Sequence, residues 1–124
     1  MRSAALSVLI LAATSVAAFA HAKMASSVPQ DGATVPVGLL EVQLDFSKPM
    51  RLTVVHVTRA QDRQEIPTKS KLPSSFEKSV KLALDPLSAG AYEVSWSAVA
   101  DDGHIMNGAF KFSVVETKAG QPTQ

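Results

Sequence analysis

The chain has 124 residues, a length that suits one domain, with 12 basic and 11 acidic side chains and no cysteine. Disulfides and thiolate metal sites are therefore excluded. A formal net charge of +1 offers no electrostatic footprint for nucleic acid or an anionic membrane surface.

Arg2 is the only charged residue before Lys23. Residues 4–13 form an apolar run, and Ala18-Phe19-Ala20 is a small-x-small pattern. Residues 1–20 therefore read as a secretory signal peptide cut between Ala20 and His21. The alternative is an uncleaved membrane anchor, because residues 3–20 carry no charge and approach the lower length limit for a span. Ser7, Thr14 and Ser15 interrupt that run, and the Ala-x-Ala pattern favours cleavage. Beyond residue 20 the acidic and basic side chains are equal in number. Cleavage would make His21 the first residue, with a free α-amine and an imidazole Nδ1 able to chelate one metal ion. An α-amine has a pKa of about 7.7–8.0, low enough for a metal to displace its proton near neutrality. The other reading of His21 is simply the place where the peptidase cuts.

Residues 22–28 are a short extended candidate, closed by the turn Pro29-Gln30-Asp31-Gly32 and a second break at Pro36-Val37-Gly38. From residue 40 the pattern alternates. Leu40, Val42, Leu44 and Phe46 share one face, and Glu41, Gln43 and Asp45 the other, which is a half-buried strand ended by Ser47-Lys48-Pro49. Residues 52–58 are strand-like, with Thr53, Val55 and Val57 on one side and Leu52, Val54 and His56 on the other. His56 there reads first as a partly buried, hydrogen-bonded residue and second as a metal ligand. Residues 60–73 are polar and broken by proline, with a short strand at Glu65-Ile66; Arg59, Arg63, Lys69 and Lys71 form a solvated surface.

Residues 79–84 alternate again, with Val80, Leu82 and Leu84 inward. A loop at 85–90 leads to residues 91–98, where Tyr92, Val94, Trp96 and Ala98 share a face. The last strand places Phe110, Phe112 and Val114 inward. Trp96, Phe110, Phe112, Leu44 and Phe46 are the expected core, with Trp96 its anchor. Residues 117–124 read as a flexible polar tail. About seven strands with turn signals between them, and no helix pattern, predict an antiparallel β-sandwich or Greek-key barrel. There is no Gly-rich phosphate loop and no Gly-x-Ser-x-Gly elbow.

Between the last two strands stands Asp101-Asp102-Gly103-His104. Gly103 lets the backbone turn, so Asp102 and His104 can point into one small volume. A carboxylate and an imidazole so placed make half a metal site. They also make an ordinary polar turn whose Asp caps its own backbone.

The ordered set of these pieces resembles the CopC-type periplasmic copper-binding proteins of bacteria. The matching pieces are a signal peptide ending before His21-Ala22, then Ser27-Val28-Pro29 with Asp31-Gly32, then Leu44-Asp45-Phe46-Ser47-Lys48-Pro49. They continue with Gly90-Ala91-Tyr92, Val94-Ser95-Trp96, Asp102-Gly103-His104, Gly108 and Phe110-Lys111-Phe112. The resemblance implies an immunoglobulin-like or cupredoxin-like Greek-key barrel over residues 21–116 that holds one Cu(II) ion. It implies His21 as ligand through amine and imidazole, with Asp102 and His104 completing the set and Asp101 no closer than the outer shell. It also implies a monomeric, non-enzymatic copper buffer or carrier of the periplasm, served by an inner-membrane CopD-type transport partner.

Two departures stand out. Lys48 occupies a position where the family often has glutamate near the copper, and a cation there would weaken the site unless it points to solvent. Met24, Met50 and Met106 form no Met-x-x-Met cluster, so they read as core or rim residues and no Cu(I) site is expected. A histidine-brace copper oxidase is the rival enzyme reading. A carboxylate ligand opposes it by filling a position that oxygen chemistry needs open, and Tyr92 and Trp96 face inward rather than forming a sugar platform. A metal-free immunoglobulin-like interaction module is the third reading.

Overall fold

The computed structural model describes residues 24–39 and 41–116; the expected signal peptide, His21, Leu40 and the tail at 117–124 lie outside them. The described residues form seven strands and no helix. The strands are β1 (Met24–Val28), β2 (Ala33–Pro36), β3 (Glu41–Arg59), β4 (Glu65–Ile66), β5 (Glu77–Ala83), β6 (Gly90–Ala100) and β7 (Ile105–Val115). They make one curled sheet in which β1, β3, β6, β7 and β2 are successive neighbours, with β4 and β5 added along β3. Every pairing is antiparallel except that of β2 with β7. The architecture is the all-β, barrel-like one expected.

Two strands expected separately are one. β3 runs for 19 residues. Its first part pairs with β1 and β5, with Leu44 opposite both Ser27 and Val80. Its second part pairs with β6, from Met50 opposite Ala100 to Arg59 opposite Tyr92. The register against β5 shifts between Asp45 and Met50, and Ser47, Lys48 and Pro49 in that interval are all exposed. Pro49 is tolerated because the ladder is already interrupted there. A strand that bends from one layer into the other is how packed layers make a corner. Asp45 ties the first layer together by accepting hydrogen bonds from Ser26 of β1 (3.0 Å), Gln43 of β3 (2.9 Å) and Ser79 of β5 (2.6 Å). Those donors, Ser79 first, hold its carboxyl below the usual range.

A second register shift, between Leu52 and Val54, changes which side chains are buried. Thr53 is the extra residue, and its hydroxyl donates to the Ser97 carbonyl at 3.1 Å. One inserted residue reverses the face of everything after it. Leu52 and Val57 are therefore both buried, whereas Val54 and His56 are exposed. Simple alternation put Leu52 and Val57 on opposite sides, and that expectation is corrected by the bulge.

β2 was not expected from the pattern. The turn before it is fastened to β7: Gly32 N–H donates to the Lys111 carbonyl at 2.7 Å, and Lys111 N–H donates to Asp31 Oδ1 at 2.9 Å. The chain then runs on beside β7 in parallel, from Ala33 opposite Phe112 to Pro36 opposite Val115.

The core lies between the two layers. β6 alternates strictly, burying Tyr92, Val94, Trp96, Ala98 and Ala100. Leu44, Phe46, Phe110 and Phe112 join them, so all five expected core residues are buried. Tyr92 stacks on Phe112 directly opposite it, with ring centroids 5.6 Å apart. Trp96 meets the edge of Phe46 at 5.1 Å and 72°, which joins β6 to the first part of β3. Across the ladder Trp96 faces Gly108. A Cβ at Gly108 would come within 2.5 Å of the indole ring, so only glycine leaves room for it. The indole Nε1 is buried with no hydrogen-bond partner among the described residues. The ring is held by packing alone.

Truncation of Trp96 to alanine is expected to destabilise the protein by about 3–5 kcal/mol in chemical denaturation. Gly108→Ala, which only adds a methyl group, is expected to destabilise by about 1–3 kcal/mol because the indole must move. A loss below about 1 kcal/mol for Trp96→Ala would show that the core lies elsewhere.

Candidate metal centre

β6 and β7 are joined by Asp101, Asp102, Gly103 and His104. Ala100 N–H donates to the His104 carbonyl, and Gly103 N–H donates to the Ala100 carbonyl, both at 2.9 Å. Gly103 has φ +89°, a left-handed conformation that suits a short hairpin connection and that a side chain would strain.

This backbone sets Asp102 and His104 against each other. Asp102 Oδ1 accepts the His104 backbone N–H at 3.0 Å, and Oδ2 lies 2.7 Å from His104 Nδ1. The polar-turn reading of the motif is realised, since the carboxylate caps its own turn, and its second oxygen orients the imidazole. Both side chains are largely exposed. In the neutral tautomer that donates Nδ1–H to Oδ2, Nε2 keeps its lone pair for a metal, the usual way a carboxylate orients a ligating histidine. The His104 backbone N–H, then its imidazole, hold the Asp102 carboxyl below the ordinary carboxylate range.

Other parts of the chain reach the same end. β1 begins with Met24 opposite Phe46, just before the β3 corner. Past the corner, Met50 stands opposite Ala100, the last residue of β6. The corner thus lies between the start of β1 and the Asp102–His104 turn. Met24 comes three positions after His21, and a chain of that length reaches at most about 10 Å. Lys48, at the corner, is exposed. Among the described residues no group of three or more histidines and acids is arranged to hold a metal. Asp102 and His104 bring together two groups of kinds that can ligate a metal.

His56 is not part of this cluster. It lies six residues along β3 from Met50, roughly 20 Å away at strand spacing. Its Nδ1 is 2.7 Å from Glu65 Oε1, and both side chains are more than half exposed. The hydrogen bond was expected; the partial burial was not found, because the bulge at Thr53 turns His56 outward. Met50 is fully buried, and Met24 and Met106 pack against the core while partly exposed, which makes them the core and rim residues expected.

Residues 24–115 match the CopC domain family. Two proteins named Copper resistance protein C are each 33% identical to this chain. The match to the one from Escherichia coli covers 78% of this chain and 83% of that protein. For the one from Xanthomonas campestris pv. juglandis the shares are 91% and 96%. Among solved structures, PcoC, a methionine-rich copper resistance protein from Escherichia coli, superposes with a TM-score of 0.63 at 30% identity, over 77% of this chain and 100% of that one. CopC from Methylosinus trichosporium OB3b superposes with a TM-score of 0.67 at 19% identity, over 79% and 97% of the two chains, a likeness of fold.

The lowered Asp102 pKa has a definite sign. A depressed carboxyl pKa adds stability that is present above the unfolded value of about 3.9 and is lost as pH falls through the folded one. A carboxyl-detected NMR titration of the metal-free protein is expected to place the Asp102 midpoint below about 3.9. His104→Ala should move that midpoint upward by removing the imidazole while keeping the backbone donor.

Proposed function

The chain belongs to the CopC family, and on that premise we propose that it is a periplasmic protein that binds one Cu(II) ion and buffers or delivers it without catalysing a reaction. The proposed ligands are the His21 amine and imidazole, Asp102 and His104. The observation that carries this reading is the placement at one end of the barrel of an oriented carboxylate–imidazole pair and of the strand that begins three residues after His21. Amine, imidazole and carboxylate donors suit Cu(II) in a tetragonal arrangement. Export with removal of residues 1–20 is part of the proposal, because only cleavage gives His21 its amine. So is hand-over of the ion to an inner-membrane CopD-type transporter. Both ligating side chains that are described are exposed, as transfer of an ion to a partner requires.

The roles divide by chemistry. His21 closes a chelate ring, which removes much of the entropy cost of adding a second donor. Asp102 contributes negative charge and, through its bond to the turn, a fixed position. His104 contributes a neutral imidazole nitrogen, and for Asp102 to ligate the same ion its Oδ2 gives up the bond to His104 Nδ1.

The test compares two polypeptides, one starting at His21 and one with a single glycine ahead of it. The added residue turns the amine into an amide, a poor donor until deprotonated. Cu(II) affinity, measured by competition with a chelator of known strength, is expected to fall by about two or more orders of magnitude in the extended form. Asp102→Ala and His104→Ala should each weaken binding in the form that starts at His21, by about 10–100-fold. Equal affinities for the two polypeptides would refute the N-terminal chelate.

A further inference from the structure

The end of the barrel away from the Asp102–His104 turn carries a hollow. Its floor lies on the outward face of β3, β6 and β7. Ala91 and Glu93 alternate there with the buried Tyr92 and Val94, and Lys111 and Ser113 with the buried Phe110, Phe112 and Val114. Two cross-strand rows make the floor. In the first, Glu93 stands between Thr58 and Lys111. In the second, Ala91 stands opposite Ser113, and its carbonyl accepts the Ala60 N–H at 2.9 Å. The second row has only small side chains, so the floor is sunken there. The Gly32 turn closes one side and Arg63, in the hairpin after β3, the other, around an open cavity of about 690 Å³. That volume suits a small molecule. Glu93 precedes Ala100, the end of β6, by seven residues. At strand spacing that is roughly 24 Å, so the cavity is separate from the proposed metal centre.

The charged groups around this cavity are free to act. Arg59 donates to Asp62 twice, at 3.1 and 2.7 Å, and Asp62 Oδ1 also accepts the Gln64 N–H at 3.2 Å. Those bonds fix the hairpin and engage Arg59. The Arg63 guanidinium, by contrast, has no hydrogen-bond or ion-pair partner among the described residues. Arg63 is also the only non-glycine residue among them with a positive φ, +56°. That left-handed conformation favours glycine, and non-glycine residues held in it cluster at ligand sites. On the other side, Lys111 meets Glu93 only at a long 3.7 Å, and its side chain is 76% exposed. So loose a contact leaves both groups available to a third.

We propose that this cavity binds an acidic α-amino acid, a molecule whose ammonium group stands between two carboxylates. The cavity presents the inverse pattern, with the Glu93 carboxylate between the cations of Arg63 and Lys111. The planar Arg63 fork suits one carboxylate, held by two parallel hydrogen bonds. Lys111 takes the other as a point charge. Glu93 exchanges its loose contact with Lys111 for hydrogen bonds donated by the ligand ammonium. The Thr58 and Ser113 hydroxyls serve the remaining carboxylate oxygens. From the β3 side to β7 is two strand spacings, about 10 Å, a span that the long arginine and lysine side chains shorten to fit the ligand. The three side chains and the ligand carry opposite net charges of equal size. A phosphate would face Glu93 unpaired, and a neutral amino acid would leave one cation unanswered.

The test titrates metal-free protein starting at His21 with L-glutamate, so its result is independent of the copper reading. Backbone amide shifts are expected to saturate at millimolar ligand and to centre on Arg63, Glu93 and Lys111, with Asp102 and His104 unmoved. Glutarate, which lacks the ammonium, and L-glutamine, which lacks the second carboxylate, should each bind about tenfold or more weakly. Arg63→Gly relaxes the left-handed turn while removing the cation. Its melting temperature should hold or rise as its affinity for L-glutamate falls about tenfold or more. Glu93→Gln should weaken the binding of L-glutamate but not that of glutarate. The proposal is overturned by any of three results: no saturable shift at these residues, glutarate or L-glutamine binding as tightly as L-glutamate, or a folded Arg63→Gly variant that binds unchanged.

Discussion

A single strand that belongs to both layers constrains everything else in this molecule. β3 leaves the β1–β5 layer at the Ser47–Lys48–Pro49 corner and continues as the partner of β6. Backbone hydrogen bonds run along both parts, so the layers cannot slide past each other without breaking a ladder. The antiparallel sense of each pairing then decides what meets at the corner. β1 must start there and β6 must end there. That brings the beginning of the described chain and the β6–β7 turn to one end of the barrel, although nearly eighty residues separate them in sequence.

Packing at the same end depends on a missing side chain. Trp96 fills the space between β6 and the first part of β3, and it does so by lying over Gly108 on the neighbouring strand. The arrangement leaves the indole N–H without a partner among the described residues. The loss of a hydrogen bond is outweighed by the apolar area an indole removes from water. The result is a packed floor six residues before Asp102 and four residues after His104, and a carboxylate–imidazole pair on a packed hairpin is more exactingly placed than one on a free loop.

The turn itself shows how one residue can serve structure and chemistry together. Asp102 satisfies a backbone donor that the tight turn leaves over, and its second oxygen fixes the imidazole. The same carboxylate that makes the loop stable makes the histidine directional.

The sequence alone determined the all-β class, the inward faces of β6 and β7, the core of Leu44, Phe46, Trp96, Phe110 and Phe112, and the pairing of Asp102 with His104. Each of these is local: period-two alternation sets a buried face, and a glycine between a carboxylate and an imidazole sets a short-range turn. Membership of the CopC family was legible too, because the motifs keep their order along the chain. Only the tertiary structure decided that residues 41–59 are one strand, since a proline at a bend reads in sequence as a stop. Only it decided that His56 faces water far from the turn, because a bulge has no signature in a β-branched run and reverses every face after it. It alone decided that β2 exists, since four residues ending in proline become a strand only when the turn before them is fastened to β7. The difference has one cause. Local patterns record which way a side chain points relative to its neighbours, whereas bends, bulges and edges depend on which strand lies alongside.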